Sequence, residues 1–173
     1  VATIRGSIDL YPSADVVYAA DEDWWNHVLG LPWFRGLRIT NARNAVSKWR
    51  LSGLIDVRHT RDEILLYEPG VVGGGGCSGF HLLNLAVQAG ARGIILVGFD
   101  MRPAERTHWY GKNTWAGSSN PSERSFDRWR GALDGAAKTL SRLAVDVVNA
   151  SERSTLVAYP KMSLESALWL LKA

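Results

Sequence analysis

The stretch Gly73–Phe80 reads GGGGCSGF and is the first place where this chain is equipped for chemistry. Glycines let backbone N–H groups come close to an anion, and a helix starting just after them adds the positive end of its dipole. Gly75, Gly76, Ser78 and Gly79 are therefore candidate ligand contacts, Ser78 through its hydroxyl as well. His81 lies in the first turn beyond them, next to any anion held there. The run is neither the phosphate loop ending in Gly-Lys-Ser/Thr nor the Gly-x-Gly-x-x-Gly dinucleotide fingerprint. The plain alternative is a flexible turn before a helix. Four glycines are costly in chain entropy unless the backbone needs them, which favours anion binding.

Asp100 follows the apolar run Gly93–Val97 and is placed at a strand end, where its carboxylate can hold a ribose, a metal or a substrate hydroxyl, or simply cap a turn. His108 stands in Thr107-His108-Trp109-Tyr110-Gly111. An imidazole titrates near neutrality, so it suits a general base, while a loop histidine bonded to backbone is the ordinary alternative. Trp109 and Trp115 offer faces for stacking on a base or sugar, although most of the eight tryptophans are expected to pack in the core or a lid. Asp21, Glu22 and Asp23 form an acidic cluster that reads as a helix N-terminus or a metal site; Asp21 is singled out because it too ends a strand. His27 and His59 have no evident partner in the sequence. Cys77 stands alone, which excludes an intramolecular disulfide and gives no zinc-ligand spacing.

The elements that must position these groups come from periodicity. Strands are predicted at Asp15–Ala20, Arg38–Thr40, Leu54–Val57, Ile64–Tyr67, Gly93–Val97 and Val145–Val148, with only a weak strand in Val1–Leu10. Helices are predicted from Asp21 to Val28, over Gly79–Ala89, over Glu123–Leu143 and from Ser163 through Leu171. Asn41–Trp49 is ambiguous, and Met101–Pro121 is a long loop of the kind that usually carries function. The continuous apolar run GIILV predicts a parallel strand buried on both faces. Strands alternating with helices predict an α/β fold: a single Rossmann-like, nucleotide-binding-type domain over residues 1–173, with a mainly parallel sheet flanked by helices.

Composition fits that class. The chain has 173 residues, 46% hydrophobic and 21% charged, enough for a real core. Its net charge of +3 permits contact with phosphate or nucleic acid without demanding it. Neither a long apolar run nor a basic-then-apolar leader is present, so a cytoplasmic setting and no membrane partner are expected.

Taken together these motifs resemble a family of bacteriophage proteins often labelled "norphogenetic protein". The shared string runs from ADVVYAAD at Ala14–Asp21 and Trp24-Trp25 through the Gly-Ser-Gly-aromatic stretch, here Gly76–Phe80, and Asn84–Ala86. It continues with Gly90–Met101, Thr107–Gly111, Val148–Ala150 and Pro160–Glu165, covering nearly the whole chain. That family is similar to bacterial lipooligosaccharide sialyltransferases and to archaeal 6-hydroxymethylpterin diphosphokinase-like proteins. The resemblance implies a Rossmann-type nucleotide site around Ser78-Gly79 and Gly98–Asp100, with His108 as general base. The families open with a strand and a Gly-x-Gly-Pro-Ser-Leu loop that contacts nucleotide phosphates; this sequence has none, and Gly6–Asp9 (GSID) replaces their asparagine-rich second motif. A fragment or a reduced member is therefore expected, with an open edge strand near the N-terminus that favours pairing into an oligomer.

Three functions follow as expectations. The first is a glycosyltransferase-like transferase with a nucleotide-sugar donor against Gly73–Ser78 and Asp100, no required metal, and modified DNA or a glycan as acceptor, working in the host cytoplasm if phage-encoded. The second is a pterin-type diphosphotransferase, with Mg²⁺ held by Asp21, Asp23 or Asp100 and Arg102 and Arg106 nearest the phosphates. The third is a binding module that has lost its donor site.

Overall fold

Every strand pairing in the computed structural model is parallel, which requires the chain to cross back between strands and explains the helices that separate them. Residues 1–103 and 108–170 are described; Arg106, Thr107 and Leu171 of the sequence reading lie outside them. Strands β1 (Ala2–Ile4), β2 (Val16–Tyr18), β3 (Leu37–Thr40) and β4 (Gly53–Leu54) form one sheet in that order. A 3-10 turn at Arg5–Asp9, then α1 (Glu22–His27) and α2 (Arg43–Trp49), make the connections. Two further parallel pairs follow, β5 (Asp56–Arg58) with β6 (Val71–Gly73), and β7 (Gly93–Leu96) with β8 (Asp146–Asn149). Helix α3 (Ser78–Gln88) joins β6 to β7, α4 (Glu123–Arg142) leads into β8, and α5 (Leu164–Leu170) comes last. This is the alternating, Rossmann-like α/β arrangement expected from the sequence.

Each long helix shows why its sequence forms it. In α4, Ser122 and Ser125 bond reciprocally across the first turn, satisfying donors that a helix start leaves open. Phe126, Leu133, Ala136 and Leu140 then recur at helical spacing and are buried. In α3, Phe80, Leu83 and Val87 form the buried stripe, and Gly90 ends the helix at φ +87°. These two stripes share one core with Leu96 of β7 and Val147 of β8. A second core lies under the other sheet, around Val17, Trp24, Trp25, Phe34 and Ala45. Among the described residues no helix is long and apolar enough to cross a membrane.

The structure also differs from the sequence reading in places. The ambiguous Asn41–Trp49 is mostly helix α2. Leu54–Val57 is broken at Ile55, whose amide bonds to Thr40 on β3 while the residues beyond it turn to β6. Ile64–Tyr67 is not a strand: Asn84 of α3 bonds both the amide and the carbonyl of Leu65, so a side chain replaces the ladder. Val71–Gly73, where no strand is predicted, is a strand. The apolar run of β7 is not buried throughout, since Ile94 and Ile95 are half-buried and Val97 is 56% exposed.

Candidate functional site

In open parallel sheets the carboxyl ends of strands face the ligand, and here those ends gather a polar cluster. Arg5 leaves β1 at φ +48°, a left-handed conformation that a residue with a side chain adopts at a cost. Its guanidinium pairs with the carboxylate of Asp21, which follows β2. His108 lies close enough that Arg5 adds to burial in pushing the imidazole pKa down, so the ring stays neutral. Tyr110 stacks on His108 with ring centres 5.0 Å apart and packs against Gly6. The Nε2 of His108 and the Nε of Arg5 are buried and lack a hydrogen-bond partner among the described residues. Met101, five residues beyond β7, is also left-handed, φ +53°, as are Leu29, Leu31, Arg50 and Ala144 elsewhere. Strain of this kind concentrates at working sites.

Asp21 and His81 belong to the same neighbourhood, but His81 has other work. Its Nε2 donates to the Gly74 carbonyl at 2.6 Å, and its Nδ1 lies 2.7 Å from the Tyr18 hydroxyl. A carbonyl only accepts, so the proton of the neutral ring sits on Nε2 and Nδ1 accepts from Tyr18. Burial lowers the His81 pKa to about 4. Burial, and next the Asp21 charge, raises that of Tyr18. His81 thus clamps the glycine loop to the end of β2.

The glycine run is explained first by crowding. A β-carbon on Gly73 would meet the Glu63 carbonyl, on Gly74 the His59 backbone, on Gly75 the Phe80 ring and on Gly76 the Trp129 indole. Gly73 donates to Asn84 at 3.0 Å, Gly74 to the Arg61 carbonyl at 2.8 Å and Gly75 to Asp62 at 2.7 Å. Asp62 is held in turn by Arg128 of α4 through contacts of 3.1 and 2.9 Å, and that guanidinium holds its carboxyl below the usual range. The first three glycine amides are therefore spent inside the protein. At the start of α3 the Gly79 and Phe80 amides are turned to the Cys77 thiol. Gly79 is buried between β1 and the chain beyond β7, since its missing β-carbon would lie 3.7 Å from Ile4 and 2.8 Å from Phe99. Burial raises the Cys77 thiol pKa to about 11, so it is protonated at neutral pH.

Asp100, next after Phe99, has an exposed side chain. Its backbone is fixed from behind: Ser151 and Ser154 bond Phe99, and Thr155 bonds the carbonyls of Asp100 and Met101. Trp109 is 48% exposed and packs edge-on against Tyr110, leaving a face open. Trp115 instead stacks on His27, 4.9 Å between ring centres, which supplies that histidine with a partner. Among the described residues no three His, Cys, Asp or Glu side chains converge as a metal needs. A groove of about 510 Å³ between the end of α4, β8 and residues 158–162 is lined by none of the candidate residues.

The sequence reading thus named Asp21, His81 and His108, which the fold brings to one cluster, and Gly79, which packs against the end of β1. It missed Arg5, Tyr18, Asp62 and Arg128. Arg5 was signalled only by its place after a weak strand, and the others pair across 13 or more residues, which no local pattern reveals. The chain matches no family model, no curated protein and no solved structure.

Proposed function

We propose that this chain binds a phosphate-bearing donor, a nucleotide sugar, across the carboxyl ends of β1 and β7 and transfers the sugar to a hydroxyl acceptor. The observation that carries the reading is a neutral His108 with a buried, unpartnered Nε2 beside the cationic Arg5. With the ring proton on Nδ1, Nε2 accepts the proton of the acceptor hydroxyl as that oxygen attacks the anomeric carbon. The bond from that carbon to the donor phosphate breaks, and its electron pair leaves with the phosphate. Arg5 stabilises that negative charge. Trp109 offers its open face to a base or sugar ring. Asp100 is placed to accept from a donor hydroxyl. The resemblance to the sialyltransferase group supports the same chemistry. The acceptor is a glycan or modified DNA, the latter in keeping with the pI of about 9.2.

Diphosphate transfer ranks lower because Asp21, its best Mg²⁺ ligand, is committed to Arg5. A binder without turnover is favoured by one observation, the internal use of the Gly73–Gly75 amides. Thermal unfolding against nucleotides and nucleotide sugars, with and without Mg²⁺, separates the three. A ligand at a hundred times its Kd adds about 2.7 kcal/mol, a readily measured shift in Tm. A shift with one nucleotide sugar, together with turnover that His108→Ala abolishes while the shift persists, supports the transferase. A shift with no turnover makes the chain a binder. A shift confined to Mg²⁺ with a nucleoside triphosphate selects diphosphate transfer, and no shift at all sinks the donor site.

A further inference from the structure

The turn at residues 108–111 is closed by two backbone bonds. The His108 amide donates to the Gly111 carbonyl at 3.1 Å, and the Gly111 amide to the His108 carbonyl at 2.9 Å. These bonds fix the His108 backbone and leave its ring to turn about the side-chain bonds. Its Nε2 does not hold it, being buried without a hydrogen-bond partner among the described residues. What meets the ring is Tyr110, 5.0 Å between ring centres and 20° between ring planes.

Tyr110 is itself tied down. Its hydroxyl donates to Asn113 Oδ1 at 3.0 Å. Asn113 is buried and held in turn: its Nδ2 donates to the Ser119 carbonyl at 2.8 Å, its backbone amide to Asn120 Oδ1 at 2.9 Å, and Asn120 Nδ2 to the Asn113 carbonyl at 3.2 Å. Trp109 packs edge-on against Tyr110, 5.4 Å between ring centres. A β-carbon on Gly6 would lie 2.8 Å from Tyr110 Cε1, so the ring occupies the space that this glycine leaves. Burial raises the Tyr110 pKa, and the phenol stays a donor at neutral pH. A ring that only filled space would need no such tether.

We infer that Tyr110 is the positioning residue for His108: stacked on the imidazole and moored through its hydroxyl to Asn113, it holds the ring with Nε2 bare beside Arg5. A base works only when held in reach of the proton that it takes. That purpose rests on the transfer chemistry proposed above, while the geometry does not. The charged groups that reach the two rings are Arg5, felt by both, and Asp9, felt by Tyr110; Asp21 is paired with Arg5.

Imidazole NMR on the whole chain, without ligand, is the test. Burial and Arg5 keep His108 titrating below its ordinary 6.5, and a stacked ring shifts its carbon-bound protons upfield. Tyr110→Leu uncovers the imidazole and is expected to move the titration up towards 6.5. Tyr110→Phe keeps the stack but cuts the tie to Asn113, and Gly6→Ala pushes the ring aside. Each is expected to lessen the upfield shift and raise the titration part of the way. Methyl resonances of Val17 and Val147, one in each core, report that the fold persists. An unchanged titration in all three variants overturns the inference. So does a change confined to Tyr110→Leu, which would make the ring a cover and no more. With the nucleotide sugar that raises Tm, Tyr110→Phe is expected to lose about tenfold in kcat at unchanged KM, and full kcat in that variant also overturns the inference. A His108 that responds to the variants in a protein that turns over no nucleotide sugar keeps the positioning and removes the transferase reading.

Discussion

Burial disfavours the charged form of His81, which as a neutral ring holds the Gly74 carbonyl and the Tyr18 hydroxyl. This makes its burial a pH-dependent part of stability. In the unfolded chain the ring titrates near 6.5, and in the fold near 4. Above pH 6.5 both states are neutral and the contribution is whole. As pH falls from 6.5 towards 4 the unfolded state binds a proton that the folded state refuses, and about 3 kcal/mol is lost before the effect levels off. His108 is shifted in the same direction and adds to the slope. Denaturant unfolding at pH 7 and at pH 4.5 measures it, and His81→Gln is expected to flatten most of the difference. If that variant keeps the full slope, other groups carry it and the assignment of a neutral clamp fails.

At the scale of an element, α3 is entered and left through glycines that differ in what surrounds them. Gly75 adopts φ +56° with the buried Phe80 ring where a β-carbon would go, whereas Gly90 adopts φ +87° with nothing within 4 Å. Both positions penalise a side chain through the backbone, by about 1 kcal/mol. Only Gly75 adds overpacking, about 1–3 kcal/mol more. Gly75→Ala is therefore expected to destabilise by roughly 2–4 kcal/mol and Gly90→Ala by about 1 kcal/mol, read from chemical denaturation. Equal losses would show that Phe80 yields freely and that the loop is looser than its packing implies. The same contrast shows what the sequence could and could not tell. Four adjacent glycines announce a backbone need, but that need is met largely by Glu63, His59, Phe80 and Trp129, which only the folded chain brings there.

At the scale of the molecule, the fold class was legible because alternation of strands and helices is a local signal repeated along the chain. Helix α4 and strand β8 were found to within a residue or two for that reason, and the position of Asp100 beyond β7 followed from the apolar run before it. The short strands β5 and β6 were not, because each is three residues long and takes its place from pairing rather than pattern. Nor did the sequence reveal that the sheet is divided. Its parts are joined by α3 and by side-chain bonds such as Tyr18–His81, while the core falls into separate clusters under β1–β4 and around β7, β8 and α4. Cooperativity across such a joint rests on packing and side-chain bonds, with no hydrogen-bonded ladder among the described residues to transmit it. Native-state exchange at low denaturant is expected to resolve two opening units, with Val17 in one and Val147 and Val148 in the other, separated by about 1 kcal/mol or more. Their merging into one global transition would mean that α3 alone couples the halves fully.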